Sequence, residues 1–191
     1  VVDPHTVAVA GKNYTAEHIL VAAGSWPNDL RYEGGEHVIT SNEAFFLDKL
    51  PKKVVIEGGG YIAVEFAGIF NGLGVDTTLS YRGSLIMRGF DEDIRQHLQG
   101  EMEKKGIKLK LNASFEKVEK TDAGLTVHLD DGTTLEADTV MSAIGRRPNV
   151  NGLGLEEAGV ALKDNGAVIV DDYFQTNVKS IYAIGDIIDR Y

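Results

Sequence analysis

The sequence predicts an α/β protein built on a doubly wound parallel sheet with an antiparallel β-meander attached, and three observations carry that expectation. An apolar run, Val54-Val55-Ile56, leads through Gly58-Gly59-Gly60 into a stretch of helical spacing and then into a β-branched run, Val75 to Ser80. Strand, glycine turn, helix and strand within about 30 residues is what a parallel crossover requires. A second helical stretch followed by Ile107 to Leu111 repeats the alternation, as a layered α/β sheet does. Beyond it, three short β-rich runs separated by Asp122-Ala123-Gly124 and Asp131-Gly132 read as strands joined by tight turns.

Taken in order, Thr6 to Ala10 and a Gly11-Lys12-Asn13 turn open a hairpin, and Ile19 to Ala23 is a buried-looking strand ending at Gly24. Ser25 to Gly35 is rich in turn residues and reads as a crossover. Ser41 or Asn42 is expected to cap a short helix through Phe46 and Leu47. Ile62, Phe66, Ile69 and Leu73 recur at helical spacing and are expected to face the core. In the second helix, Asp91, Glu92 and Asp93 suit the positive N-terminal end, Ile94, Leu98 and Met102 form a stripe, and Lys104-Lys105-Gly106 ends it. The meander strands are Phe115–Lys120, Leu125–Leu129 and Thr133–Glu136, after which Val140 to Ile144 returns to a buried strand. From Arg146 the chain is loop-rich, with apolar stretches at Val168–Val170 and Ile181–Ile184.

Composition narrows the function. With 191 residues, 43% hydrophobic and 25% charged, the chain can bury one sizeable core and a smaller satellite. Its 29 acidic against 19 basic side chains give a net charge of −10, which repels phosphate backbones and anionic membranes, so neither nucleic acid nor membrane is expected as a partner. No apolar run reaches membrane-span length, and Val1-Val2-Asp3-Pro4 has no signal-peptide character, so a cytoplasmic location is expected. With no cysteine, and with His5, His18, His37, His97 and His128 scattered, neither thiol chemistry nor a metal site is expected in this chain.

The chemistry concentrates at Gly58-x-Gly60-x-x-Ala63. Glycine permits the tight turn and the close approach of a pyrophosphate, and a small third residue lets the helix pack on the strand, the fingerprint of a Rossmann-like dinucleotide site. The helix that follows would aim unsatisfied N–H groups and a positive dipole end at the phosphates. At the end of the second strand an acid selects NAD and arginine accommodates the 2′-phosphate of NADP. Here Arg82 stands there, with Arg88 six residues on, and two guanidinium groups suit one phosphate. NADP(H) is therefore the expected cofactor; Asp76, the nearest acid, lies at the wrong end of the strand. Glu57 is unexpected, since a carboxylate immediately before the glycines would approach the pyrophosphate; it is expected to weaken binding, or to lean into solvent or pair with a cation.

Four segments carry a resemblance: Gly58-Gly59-Gly60-Tyr61-Ile62-Ala63-Val64-Glu65-Phe66-Ala67-Gly68, Tyr81-Arg82 through Asp91, Ala143-Ile144-Gly145-Arg146-Arg147-Pro148-Asn149, and Ile181 through Asp186. In that order they resemble glutathione reductase, of the class I pyridine nucleotide-disulfide oxidoreductases, and cover nearly the whole chain. The resemblance implies an NADPH domain at 40–147, a partial FAD-domain segment at 1–39 and a return segment of the FAD domain at 148–191. It implies NADP contacts from Gly58, Gly60, Tyr61, Ile62, Ala63, Glu65, Arg82, Arg88, Gly145 and Arg146. It also implies an FAD contact from Asp186, and a gate and supporting role for Tyr61 and Glu65 at the nicotinamide site. Against those two roles stand a Tyr61 that simply packs at the helix start and a Glu65 that is a solvated first-turn acid. Ala22-Ala23-Gly24 departs from the commoner Ala-Thr-Gly by losing a hydroxyl. The implied enzyme is a homodimer in which NADPH reduces FAD, FAD a protein disulfide, and the dithiol glutathione disulfide. The redox cysteines, the rest of the FAD domain and the dimerisation domain are not in this sequence, so the chain alone is expected to be inactive. A free-standing nucleotide-binding module, or a module of a trypanothione or dihydrolipoamide-type reductase, is the alternative; the last would need an acid near Tyr81.

Overall fold

The computed structural model describes residues 1–189. The elements along the chain are β1 (Thr6–Val9), β2 (Lys12–Thr15), β3 (Ile19–Val21), β4 (Ser25–Pro27), a 3-10 turn (Gly35–His37), helix α1 (Ser41–Ala44), β5 (Lys53–Glu57), α2 (Tyr61–Gly72) and β6 (Asp76–Tyr81). They continue with α3 (Glu92–Lys104), β7 (Lys108–Leu111), β8 (Phe115–Thr121), β9 (Gly124–Leu129), β10 (Thr134–Ala137), β11 (Thr139–Ser142), β12 (Arg146–Pro148), β13 (Ile181–Ala183) and a 3-10 turn (Gly185–Ile188). These group into two compact units, one of residues 29–145, the other of residues 1–28 with those from 146 onward.

In the 29–145 unit a parallel sheet has the order β11-β5-β6-β7, and Ile39 adds a parallel bridge to Met141 beyond β11. A strand that reads as a continuous apolar run must be covered on both faces, and β5 shows how: Val54 and Ile56 join Phe66, Phe70, Leu79 and Met102 in one core, while Val55 joins Phe115, Val118, Val127 and Val140 in another. Helices α2 and α3 supply the first layer. The antiparallel meander β10-β9-β8 supplies the second.

Four expectations need correcting here. The buried positions of α2 are Ala63, Phe66, Ala67 and Phe70, while Ile69 and Leu73 are 48% and 60% exposed; the two alanines let the helix lie close on the sheet. On α3 Met102 is buried but Ile94 is 60% exposed. The cap of α1 is Thr40, one residue before the expected position, in a capping box with Glu43: the Thr40 hydroxyl accepts from Asn42 N, and Glu43 Oε2 accepts from Thr40 N at 2.7 Å. Within the turn-rich Ser25–Gly35 stretch, Ser25–Pro27 forms β4, paired antiparallel with β12.

Among the described residues the other unit has two-stranded pieces: the β1-β2 hairpin, β12-β4 and the parallel pair β13-β3. Its core gathers Ile19, Val21, Leu155, Val168, Ile181, Ala183 and Ile187. No helix among the described residues is long and apolar enough to cross a membrane, and no group of His, Cys, Asp or Glu is placed to hold a metal ion.

Candidate functional site

The parallel sheet carries a cavity of about 470 Å³ at the C-terminal ends of its strands, where open α/β sheets place their ligands. Its lining is contributed by Glu57 to Ile62, by Ser80 to Arg82 with Arg88, by Ala113 and Ser114, and by Ala143 to Gly145. Each group follows a different strand: β5, β6, β7 and β11.

The glycine turn is dictated by close approaches. Gly58 has φ +135°, and a Cβ there would stand 2.5 Å from the Ala143 carbonyl oxygen and 3.3 Å from Ala63 Cβ. Only glycine fits, and only with a residue as small as Ala63 beneath it. A Cβ on Gly59 would fall 2.5 Å from the Tyr81 ring. At Gly60 an added Cβ would meet no protein atom, so the space beside it belongs to the cavity. Gly60 also caps α2 without a side-chain acceptor, and the first turn of α2 holds no acid. The leading N–H groups of a twelve-residue helix thus keep their capacity for an anion.

The arginine-bearing loop is anchored to the same turn. Met87 N donates to the Gly59 carbonyl at 2.6 Å, and Ile86, fully buried, pins the loop into the core. Arg95 of α3 donates from Nε to the Ile86 carbonyl at 2.7 Å and from a terminal nitrogen to that of Leu85 at 2.8 Å. Arg82 and Arg88, both exposed at the cavity, are therefore presented by a held loop. Asp76 sits at the opposite end of β6, bonded to Lys108 Nζ at 2.7 Å.

Glu57 neither leans into solvent nor pairs with a cation. Its Oε2 accepts from Tyr32 Oη and from Ser142 Oγ, each at 2.9 Å. Burial holds its carboxyl above the ordinary carboxylate value of 4.5, with the Ser142 and then the Tyr32 hydroxyl pulling the other way. Burial and the neighbouring Glu57 push the Tyr32 phenol up.

Gly58, Gly60, Tyr61, Ile62, Arg82, Arg88 and Gly145 are thus brought to one cavity. Ala63 supports it from beneath, buried. Glu65 is exposed in the second turn of α2 and does not line the cavity, so it is not the first-turn acid considered above. Arg146 does not line it either. It belongs to the other unit, where Nε donates to Ser25 Oγ at 2.7 Å and a terminal nitrogen to the Ser25 carbonyl at 2.6 Å. In that unit Asp186 Oδ2 accepts from Ser25 Oγ at 2.7 Å, and its side chain is 64% exposed. Sequence reading passed over Tyr81, Ser114 and Arg95; strand-end position could have signalled Tyr81, but nothing local marks the other two.

A family model described as pyridine nucleotide-disulphide oxidoreductase matches residues 1–191. Glutathione reductase from Burkholderia cepacia is 46% identical over 187 residues, 98% of this chain and 42% of that protein. Trypanothione reductase from Trypanosoma congolense is 48% identical over 179 residues, 92% of this chain and 36% of that protein. Among solved structures, the HOCl-induced flavoprotein disulfide reductase RclA from Escherichia coli matches with a TM-score of 0.93 at 29% identity, covering 100% of this chain and 45% of that one. An engineered water-forming NADPH oxidase bound to NADPH matches with a TM-score of 0.80 at 29% identity, covering 92% and 40%. The chain spans 42% and 36% of the two curated relatives' own lengths.

Proposed function

The chain belongs to the pyridine nucleotide-disulphide oxidoreductase family, and from that premise we propose that it is the NADPH-binding portion of a flavoprotein disulfide reductase resembling glutathione reductase. The observation that carries the reading is that Arg82 and Arg88 line the same cavity as the Gly58–Ile62 turn. The residues fit a dinucleotide: the glycines leave room for a pyrophosphate, the uncapped start of α2 offers N–H donors, and the two guanidinium groups suit the 2′-phosphate that distinguishes NADPH. The engineered oxidase bound to NADPH supports this. Arginines were introduced into it six positions apart, for an alanine and a proline, and an aspartate immediately before the first became alanine. Here Arg82 and Arg88 are six apart and Tyr81 precedes the first.

In the whole enzyme bound NADPH would supply a hydride and FAD would carry the electron pair on to a disulfide. This chain's residues bind and orient. Tyr61, 55% exposed at the cavity wall, is the candidate to cover the nicotinamide end, and Asp186 is the candidate for the FAD ribityl chain. A homodimer acting on glutathione disulfide, in the cytoplasm, completes the proposal, and the trypanothione reductase match keeps a relative of glutathione as the second substrate reading. Side-by-side titration of the purified chain with NADPH and NADH is the test. NADPH is expected to bind more tightly; equal binding would remove the NADP assignment, and binding of neither would remove the dinucleotide reading.

A further inference from the structure

Across the parallel sheet, Ser142, Glu57, Ser80 and Lys110 are neighbours in register, one from each of β11, β5, β6 and β7. Partners in register share a face, and this row lies on the face that carries Val55 and Val140 two residues earlier, against the apolar core under the meander. A polar row there is not what burial alone would select. Ser142 and Ser80 are 4% and 0% exposed. Ser80 Oγ is buried with no hydrogen-bond partner among the described residues, and both hydroxyls that reach Glu57 land on Oε2. Glu57 and Ser80 line the cavity, and Glu57 immediately precedes the turn offered to the pyrophosphate.

We propose that Glu57 sets the affinity of this cavity for a dinucleotide pyrophosphate: as an uncharged acid it tolerates the anion, as a carboxylate it repels it, so binding draws a proton into the site. This rests on the dinucleotide reading and adds a determinant to it. The groups that face Glu57 are Tyr32 from the 29–38 segment, Ser142 from β11 and Ser80 from β6. The nearest lysine of the row, Lys110, stands two strands away and is tied to Asp131 at 2.6 Å. Glu33, close to Tyr32 in sequence, pairs with Lys117 at 3.3 Å. Arg82 and Arg88 line the same cavity but are exposed, and screening by water weakens their hold on a half-buried acid. Among the described residues no cation is therefore bonded to Glu57 to keep it ionised. Burial, which already raises its proton affinity, acts in the same direction as an arriving anion.

The test is the pH dependence of binding, using NADPH and, to remove the titrating 2′-phosphate, ADP-ribose, from about pH 5 to about pH 9. Wild-type affinity for both is expected to fall by roughly tenfold as pH rises through the Glu57 ionisation, a modest charge–charge effect. For ADP-ribose, Glu57→Gln should stay tight and flat across the same range. Calorimetry with ADP-ribose in two buffers of different ionisation heat should show proton uptake with wild type and none from Glu57→Gln. Matching profiles and matching proton uptake for the two would overturn the proposal while leaving the dinucleotide reading intact. Binding of neither ligand at any pH would remove both. Tyr32→Phe, which removes one donor to the carboxylate, should move the midpoint upward; an unmoved midpoint counts against the role of Glu57 even if the glutamine variant fails to fold.

Discussion

The two compact units were built from the same residue types but hold them differently. In residues 29–145 a four-stranded parallel sheet is covered on one side by helices and on the other by the meander, so Val54, Val55 and Ile56 are at most 1% exposed. In the other unit the parallel pair β13-β3 has two strands, and Leu20, between buried Ile19 and Val21, is 60% exposed. A parallel pair is normally an interior fragment of a larger sheet. The difference teaches where a binding site can be argued from this chain alone. Four strand ends and a loop pinned by Ile86 and Arg95 define the cavity of the first unit. The Ser25–Arg146–Asp186 network of the second joins β4, β12 and the closing 3-10 turn.

The largest effect that would break this contrast is catalytic. The purified chain is expected to show no NADPH-dependent glutathione disulfide reduction and to lack a stoichiometric flavin spectrum, since it has no cysteine and a two-stranded parallel pair is a poor flavin platform. A yellow preparation would show that the weaker unit is a site after all. Next, Gly58→Val should cost about 2–4 kcal/mol in the 29–145 unit, because a side chain there needs a strained φ and collides with backbone. Urea denaturation would read the loss, with dinucleotide binding lost alongside. A wild-type midpoint would mean that the turn is looser than its contacts indicate.

Smaller and more selective is the arginine pair. Arg82→Ala and Arg88→Ala are each expected to weaken NADPH by about 1.5–3 kcal/mol, the worth of a charge-assisted hydrogen bond, and to leave NADH almost unchanged. An equal loss for both cofactors would make the two arginines general electrostatic contributors. For stability, the sign at Glu57 is set by its raised proton affinity in the fold. Its contribution is most favourable below the ordinary value of 4.5 and declines as pH rises through the higher folded value. Glu57→Gln should therefore stabilise the unit at neutral pH, and the gain should vanish in acid; denaturation at several pH values would check both. The smallest effect is expected at the α1 cap, where Thr40→Ala should cost about 1 kcal/mol. Glu43 is held below 4.5 by the Thr40 hydroxyl and N–H, so its part of the box is complete above that pH and lost as pH falls through the folded value.

Much of this was legible beforehand where the signal is local. The order strand, glycine turn, helix, strand needs only residues adjacent in the chain, and it placed β5, α2 and β6 to within a residue or two. The aspartate-glycine turns did the same for the meander. Periodicity was less reliable on α2, because Ile62-Phe66-Ile69-Leu73 and Ala63-Phe66-Ala67-Phe70 both have helical spacing. Hydrophobicity favours the first; the sheet accepts the second because Ala63 and Ala67 let the helix approach closely while Phe66 and Phe70 fill the space beside them. Strands β4 and β12 lie more than a hundred residues apart, and neither has an apolar pattern to announce a partner.

The residues by themselves determined the fold class, the glycine turn and the candidate cofactor, because each depends on short-range geometry or on charge at a strand end. Tertiary structure alone decided the rest. It gave Arg146 Ser25 as a partner, recruited Arg95 to hold the loop that carries Arg82 and Arg88, and surrounded Glu57 with the hydroxyls of Tyr32 and Ser142. Those partners are 121, 9, 25 and 85 residues away in sequence. At such separations it is the closing of the sheet and its two covering layers that chooses which polar groups meet, and a half-buried acid takes whatever donors that closure brings within reach.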